Sequence, residues 1–197
     1  VKFAEKNKGT ELGERAVINA FVASRAVGDS ENMYKLADSL AQNYPKSEQL
    51  PGIFTSLAQT AVARFDYDLA VKFLKRAADV NPAQRVQLLV AAGELNEQLG
   101  NVSTAENLFD DAIDGSTGQA KIDAVAKVAV LTERTSSGKE TLKSLKKYED
   151  LGEPESLARI GLGKVAAGDV DGAEGNFQSV LNTDTASGES VARAHYG

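Results

Sequence analysis

Glu155-Ser156-Leu157-Ala158-Arg159 returns 34 residues later as Glu189-Ser190-Val191-Ala192-Arg193, and Gly163 returns at the same spacing as Gly197. A fixed period of this size marks one supersecondary unit copied along the chain. Each unit of such an array buries its apolar face against its neighbours and leaves an extended surface open, and these surfaces mainly hold other proteins. The repeat therefore predicts a class of activity, and it leaves the partner unnamed.

Working outward from this stretch, the same layout recurs. Between Pro51 and Gln84, Phe54, Leu57, Ala58 and Ala61 form one apolar stripe at helical spacing. Phe65-Asp66-Tyr67-Asp68 breaks it, and Ala70, Phe73, Leu74 and Ala77 form a second stripe that Pro82 closes. Two amphipathic helices joined by a short turn make a helical hairpin, with Ala58 and Ala70 where the helices approach closely. Residues 86–119 repeat this with Leu89, Ala92 and Gly93, the turn Gly100-Asn101, then Ala105, Phe109 and Ala112. Ser103 and Glu106 have capping-box spacing and are expected to start the second helix. Residues 154–187 repeat it again, with Pro154 in a first turn, Ile160-Gly161, the turn Gly168-Asp169, Ala173 and Phe177. Residues 14–47 and 119–152 are looser copies; in the latter Ser137 and Glu140 are expected to cap a second helix. Residues 1–8 and 189–197 read as partial flanking repeats, so the whole of 1–197 is expected to be one array, cut from a longer one at both ends.

Composition limits the chemistry. The chain is 42% hydrophobic and 25% charged, enough apolar content for a packed core. It has no Cys, which removes disulfides, thiolate metal sites and thiol catalysis, and a single His, His195, which is too little for a His-rich metal site. Arg134 to Glu140 shares only Gly138-Lys139 with a phosphate loop, and Gly161-Leu162-Gly163 follows no strand. Asp110, Asp111 and Asp114 read as a solvated acidic helix face. No catalytic residue, cofactor or metal is predicted. No apolar run is long enough to span a membrane, and a Cys-free chain suits cytoplasm and bacterial periplasm alike. The net charge of −6 speaks against nucleic acid, and all of the excess lies in 149–197, with three basic and nine acidic residues. Lys139, Lys143, Lys146 and Lys147 are spaced to share one side of a helix. They read either as a solvated face or as an electrostatic patch for an acidic partner, for instance the acidic end of another copy of the chain.

The period, the hairpin, the small residue midway in each first helix, the Gly-Asp/Asn turn, the Ala and Phe of each second helix and the closing Pro resemble the tetratricopeptide repeat. The family's Trp is replaced here by Phe54 and Leu89, and its Tyr by Ala61 and Asn96. The resemblance implies an all-α, right-handed superhelix of helix-turn-helix repeats, approximately 14–47, 51–84, 86–119, 119–152 and 154–187. It implies a non-enzymatic scaffold that binds a protein or peptide segment in a concave groove lined by first-helix residues. Carried over residue by residue, the groove positions are Arg15, Ile18, Val22 and Arg25; Thr55, Gln59, Val62 and Ala63; Gln87, Val90, Glu94 and Glu97; Lys127, Val130 and Leu131; and Ala158, Leu162 and Val165. That lining is expected to be mixed, with apolar patches and few charges. The Lys/Asn/Arg set with which one subfamily grips chaperone carboxylates is missing, its places being taken by residues such as Ile18, Ser56 and Val90. Two other readings stay open: the recruiting region of a larger enzyme, and a self-assembling structural protein.

Overall fold

Four turns decide where helices begin. Gly28, Phe65, Gly100 and Gly168 each adopt a left-handed backbone, with φ between 60° and 87°. The next residue is an N-cap: Asp29, Asp66, Asn101 and Asp169. The three aspartates accept hydrogen bonds from the amides of Asn32 (3.1 Å), Leu69 (3.2 Å) and Gly172 (3.0 Å), each satisfying one of a helix's free first-turn donors. A left-handed residue followed by an Asx cap reverses the chain in a few residues, and it recurs because the sequence recurs.

The computed structural model describes residues 3, 6–135 and 138–197. Among these the chain is all-α: α1 (Glu11–Ala26), α2 (Ser30–Asn43), α3 (Leu50–Ala63), α4 (Tyr67–Val80), α5 (Arg85–Gln98), α6 (Val102–Asp114), α7 (Gly118–Thr135), α8 (Gly138–Leu145), α9 (Pro154–Ala167), α10 (Val170–Leu181) and α11 (Gly188–Tyr196), with short 3-10 segments at Pro82–Gln84 and Lys146–Leu151. No strand is present among the described residues. The contacts gather into two compact units, 1–92 and 93–197.

In the first unit α1 pairs with α2, α3 with α4, and α2 lies on α3. The helices approach through small side chains; Ala37, Ala61, Ala70 and Ala77 are fully buried. Phe54 and Phe73 stack at 6.3 Å and Tyr34 lies 5.4 Å from Phe73. The Arg76 guanidinium sits 4.2 Å from the Phe54 ring centre and pairs with Asp38 at 2.6 Å. It covers the aromatic cluster with its stem while its charge stays paired at the surface.

In the second unit α6 packs on α7, α9 packs on both α8 and α10, and the odd-numbered helices α7, α9 and α11 contact one another in succession. Two glycines set the spacing. A Cβ added at Gly93 would lie 2.5 Å from the Phe109 ring, and one at Gly161 would lie 2.4 Å from the Phe177 ring. Both glycines and both phenylalanines are two periods apart in the sequence, so the same contact has been copied. Gly161-Leu162-Gly163 is therefore a close-packing element: Gly163 in turn faces the Gly138 carbonyl and Leu142.

Two expectations change. Helix α6 has Asn101 at its N-cap position and begins at Val102, so Ser103 lies inside its first turn and forms no capping box with Glu106; the turn geometry fixes the cap one residue after Gly100. The lysine stripe does not ride on one α-helix, because α8 ends at Leu145 and Lys146–Leu151 tightens into a 3-10 segment that turns the later lysines. That segment is pinned by Tyr148, whose hydroxyl donates to Asp110 at 2.5 Å, and by Lys147, which pairs with the same carboxylate at 2.6 Å. The expected cap at Ser137, and parts of the expected 1–8 helix, lie outside the described residues.

Two substitutions test this packing. Ala70→Leu overpacks a fully buried helix contact and should lower the unfolding free energy by roughly 1–3 kcal/mol. Phe65 is 78% exposed and takes the left-handed backbone (φ 60°) that glycine takes in three other turns. Relieving that strain outweighs the greater unfolded-state freedom of glycine, so Phe65→Gly should raise stability by about 0.5–1 kcal/mol. Urea unfolding of both variants checks the signs; an unchanged Ala70→Leu protein, or a Phe65→Gly protein weakened by more than the glycine entropy, contradicts the packing described.

Candidate functional site: a charged groove on the odd-numbered helices

Helix periodicity builds the site. On α7, Asp123, Lys127, Val130 and Arg134 fall on one stripe at i, i+4, i+7 and i+11, with Ala126 beside them. On α5, Glu94 and Glu97 stand one turn apart. The stripes meet as two rungs: Lys127 Nζ lies 2.6 Å from Glu94 Oε1, and Arg134 Nη1 lies 2.8 Å from Glu97 Oε1. Glu155 and Glu189, in the first turns of α9 and α11, extend the lining. Together with Gln98 these residues surround an open groove of about 750 Å³. All of them belong to the second unit.

Behind the rim lies a denser cluster. Glu133 on α7 receives both repeated arginines. Arg159 approaches its Oε2 through Nη2 at 2.9 Å and Nε at 3.1 Å; Arg193 approaches Oε2 through Nη2 at 2.9 Å and Oε1 through Nε at 3.2 Å. Arg159 also donates to the Glu155 backbone carbonyl at 3.0 Å and pairs with its carboxylate, while Arg193 pairs with Glu189 at 2.7 Å. The Arg159 side chain is only 3% exposed, so these hydrogen bonds replace its water. Ser187 caps α11 through the Ser190 amide and also donates to Glu155. Burial pulls the Glu155 carboxyl upward, but hydrogen bonds from Ser187, Ser190 and Arg159 outweigh it and hold the group at about 2.

The positions expected from the sequence fall in several places. Glu94, Glu97, Lys127 and Val130 line the groove. Leu131 and Ala158 do not face solvent; they are 1% and 0% exposed, because α7 and α9 turn those positions into the core, and this corrects their assignment to the surface. Leu162 is half-buried and lines a separate cavity of about 160 Å³ with Gly138, Thr141, Gly163, Glu133 and Arg159. In the first unit Arg15, Arg25, Gln59 and Val62 are exposed, as is Gln87 on α5, whereas Thr55 is half-buried and donates to the Pro51 carbonyl at 2.9 Å. Arg25 reaches Ser56 Oγ at 3.4 Å. Of the lysines, Lys139, Lys143, Lys146 and Lys147 are all exposed, but Lys147 is committed to Asp110. The groove is also more charged than expected. Asp123, Arg134, Glu155 and Glu189 were missed as lining residues, although the identical Glu at 155 and 189 was the signal that could have found two of them.

The depressed Glu155 carboxyl gives a pH dependence. Because its folded value lies below the ordinary 4.5, its contribution to stability is complete above about 4.5 and is lost as pH falls from there through about 2. Urea midpoints measured from pH 6 down to pH 2.5 should fall more steeply for the native chain than for Glu155→Gln. Parallel curves would mean that Ser187, Ser190 and Arg159 do not hold the ionised form.

No family model matches the chain, and no curated protein does. Among solved structures it is similar to a crystal structure of MamA at 17% identity, covering 81% of this chain and 91% of that one with a TM-score of 0.48. It is similar to the C-terminal part of a TPR repeat-containing protein from Cytophaga hutchinsonii at 15% identity, covering 84% and 65% with a TM-score of 0.49. It is also similar to Pseudomonas aeruginosa PilF at 11% identity, covering 91% and 80% with a TM-score of 0.49. Similarity at these levels carries no function across. The helix-turn-helix repeat fold stands on the chain's own helices, and structures of tetratricopeptide-repeat type resemble it.

Proposed function

We propose that the chain is a non-enzymatic protein-interaction scaffold that holds a segment of a partner protein in the groove of residues 93–197. The observation that carries this reading is the groove itself: an open trough of about 750 Å³ with side chains from α5, α7, α9 and α11 on its walls. A trough walled by successive helices offers a partner segment contacts at repeat spacing, and it suits an extended or helical segment. The side-chain inventory supports the same reading, since a chain without Cys and with one His is poorly equipped for nucleophilic or metal-assisted catalysis. In the first unit the exposed Arg15, Arg25, Gln59 and Val62, with Thr55, and Gln87 on α5, are proposed as further partner-contacting positions.

Photo-crosslinking in cells tests the placement. A photoreactive residue at Gln98 or Ala126, both in the groove, should capture a discrete protein partner, and one at the exposed Asn107 of α6 should capture none. Strong capture at Asn107 with none at Gln98 and Ala126 would move the binding surface away from the groove.

A further inference from the structure

The groove has a charge preference that the repeat pattern does not impose. Its two cations are already used within the wall, Lys127 on Glu94 and Arg134 on Glu97. Three carboxylates, Glu133, Glu155 and Glu189, share only two guanidinium groups, those of Arg159 and Arg193. Asp123, exposed on the same wall, meets the neutral Gln119 amide at 2.8 Å and no cation among the described residues. Glu189 keeps 69% of its side chain in solvent even with Arg193 beside it. The lining itself carries five carboxylates, Glu94, Glu97, Asp123, Glu155 and Glu189, against two cations, so the excess of the trough is anionic and hydrogen-bond accepting. Between these carboxylates the wall is Ala126 and Val130, small and apolar.

We propose that the occupant of the groove is a lysine- or arginine-bearing segment of a partner protein, its cationic heads met by Asp123 and Glu189 and its aliphatic stems laid over Ala126 and Val130. This rests on the groove reading above and adds the chemistry of the ligand. Lys and Arg suit such a wall because their long stems cover apolar surface while their heads stay at the polar rim. An acidic segment meets this excess of like charge, which costs affinity and also specifies against it.

The test uses the full chain, isotopically labelled, and two short peptides, one with lysine at every third position and one with glutamate in the same places. Amide chemical shifts are followed by NMR at about 50 mM and about 500 mM salt, where the screening length differs several-fold. The lysine peptide should move the amides of Glu94–Gln98, Asp123–Arg134 and Glu189, with binding several-fold weaker at high salt, and the glutamate peptide should move none of them. Asp123→Asn with Glu189→Gln should weaken lysine-peptide binding at least about threefold, whereas Asp171→Asn with Glu174→Gln, on the exposed acidic face of α10, should leave it unchanged. Shifts centred on α10, or equal losses from both variant pairs, would show attraction to acidity in general and overturn the inference. Binding of the glutamate peptide in the trough would overturn the charge preference and leave the groove as the binding surface. If crosslinking at Gln98 and Ala126 also captures nothing, the groove reading itself fails.

Discussion

Glu133 is the residue on which the second unit's odd-numbered helices converge. It stands on α7 and is shared by Arg159 from α9 and Arg193 from α11, the two arginines of the repeated five-residue stretch. A carboxylate half out of water, at 35% side-chain exposure, holds a guanidinium that is almost wholly buried. Burying charge is costly unless every donor is used. Arg159 offsets most of that cost by engaging all three of its nitrogens, with Glu133, the Glu155 carboxylate and the Glu155 carbonyl. A planar guanidinium can make these bonds at once in fixed directions, and a lysine ammonium cannot. The cluster therefore fixes how the three helices lie side by side, and the groove is built on their exposed edges.

Beneath the charges, packing sets a coarser frame. Gly93 against Phe109 and Gly161 against Phe177 bring helices together at a distance where any Cβ would force the facing ring to shift. Arithmetic on the repeat puts Lys127 midway between the two glycines, and there the chain departs from its own rule. α7 is longer than its neighbours at 18 residues, it is followed by a second helix of only 8, and Lys127 carries its ammonium to Glu94 in the groove. The most divergent repeat thus supplies the middle wall of the candidate site. On the far side, Lys164, Glu149 and Asn176 close a half-buried polar network, with Lys164 Nζ at 2.6 Å from Glu149 and 2.7 Å from Asn176, which holds the irregular 3-10 segment against α9 and α10.

Much of the helical architecture could be read from the sequence, because helix periodicity and turn chemistry are local. The buried positions Phe54, Ala70, Ala105, Phe109 and Ala173 follow from stripes at helical spacing, and the turns from Gly-Asp and Gly-Asn pairs. The candidate site was legible only in part. Glu94, Glu97 and Lys127 could be carried over from the repeat pattern, but Leu131 and Ala158 went wrong because a one-residue change of register on a helix swings a side chain by about 100°, from surface to core. Asp123, Arg134, Glu155 and Glu189 were missed because their role depends on neighbouring helices that sequence spacing does not specify; Arg134 meets Glu97 37 residues away, and Glu155 meets Ser187 32 residues away. The lysine stripe failed for a related reason: helical spacing predicts a shared face only while the helix lasts, and α8 ends at Leu145.

The most direct test of this account is a double-mutant cycle between Glu133→Gln and Arg193→Met, read by urea unfolding. If Glu133 ties the three helices together, the two changes should be strongly non-additive, with a coupling energy of about 1–3 kcal/mol. A coupling below about 0.5 kcal/mol, the level expected of sites that do not interact, would contradict the claim that this shared carboxylate organises the groove.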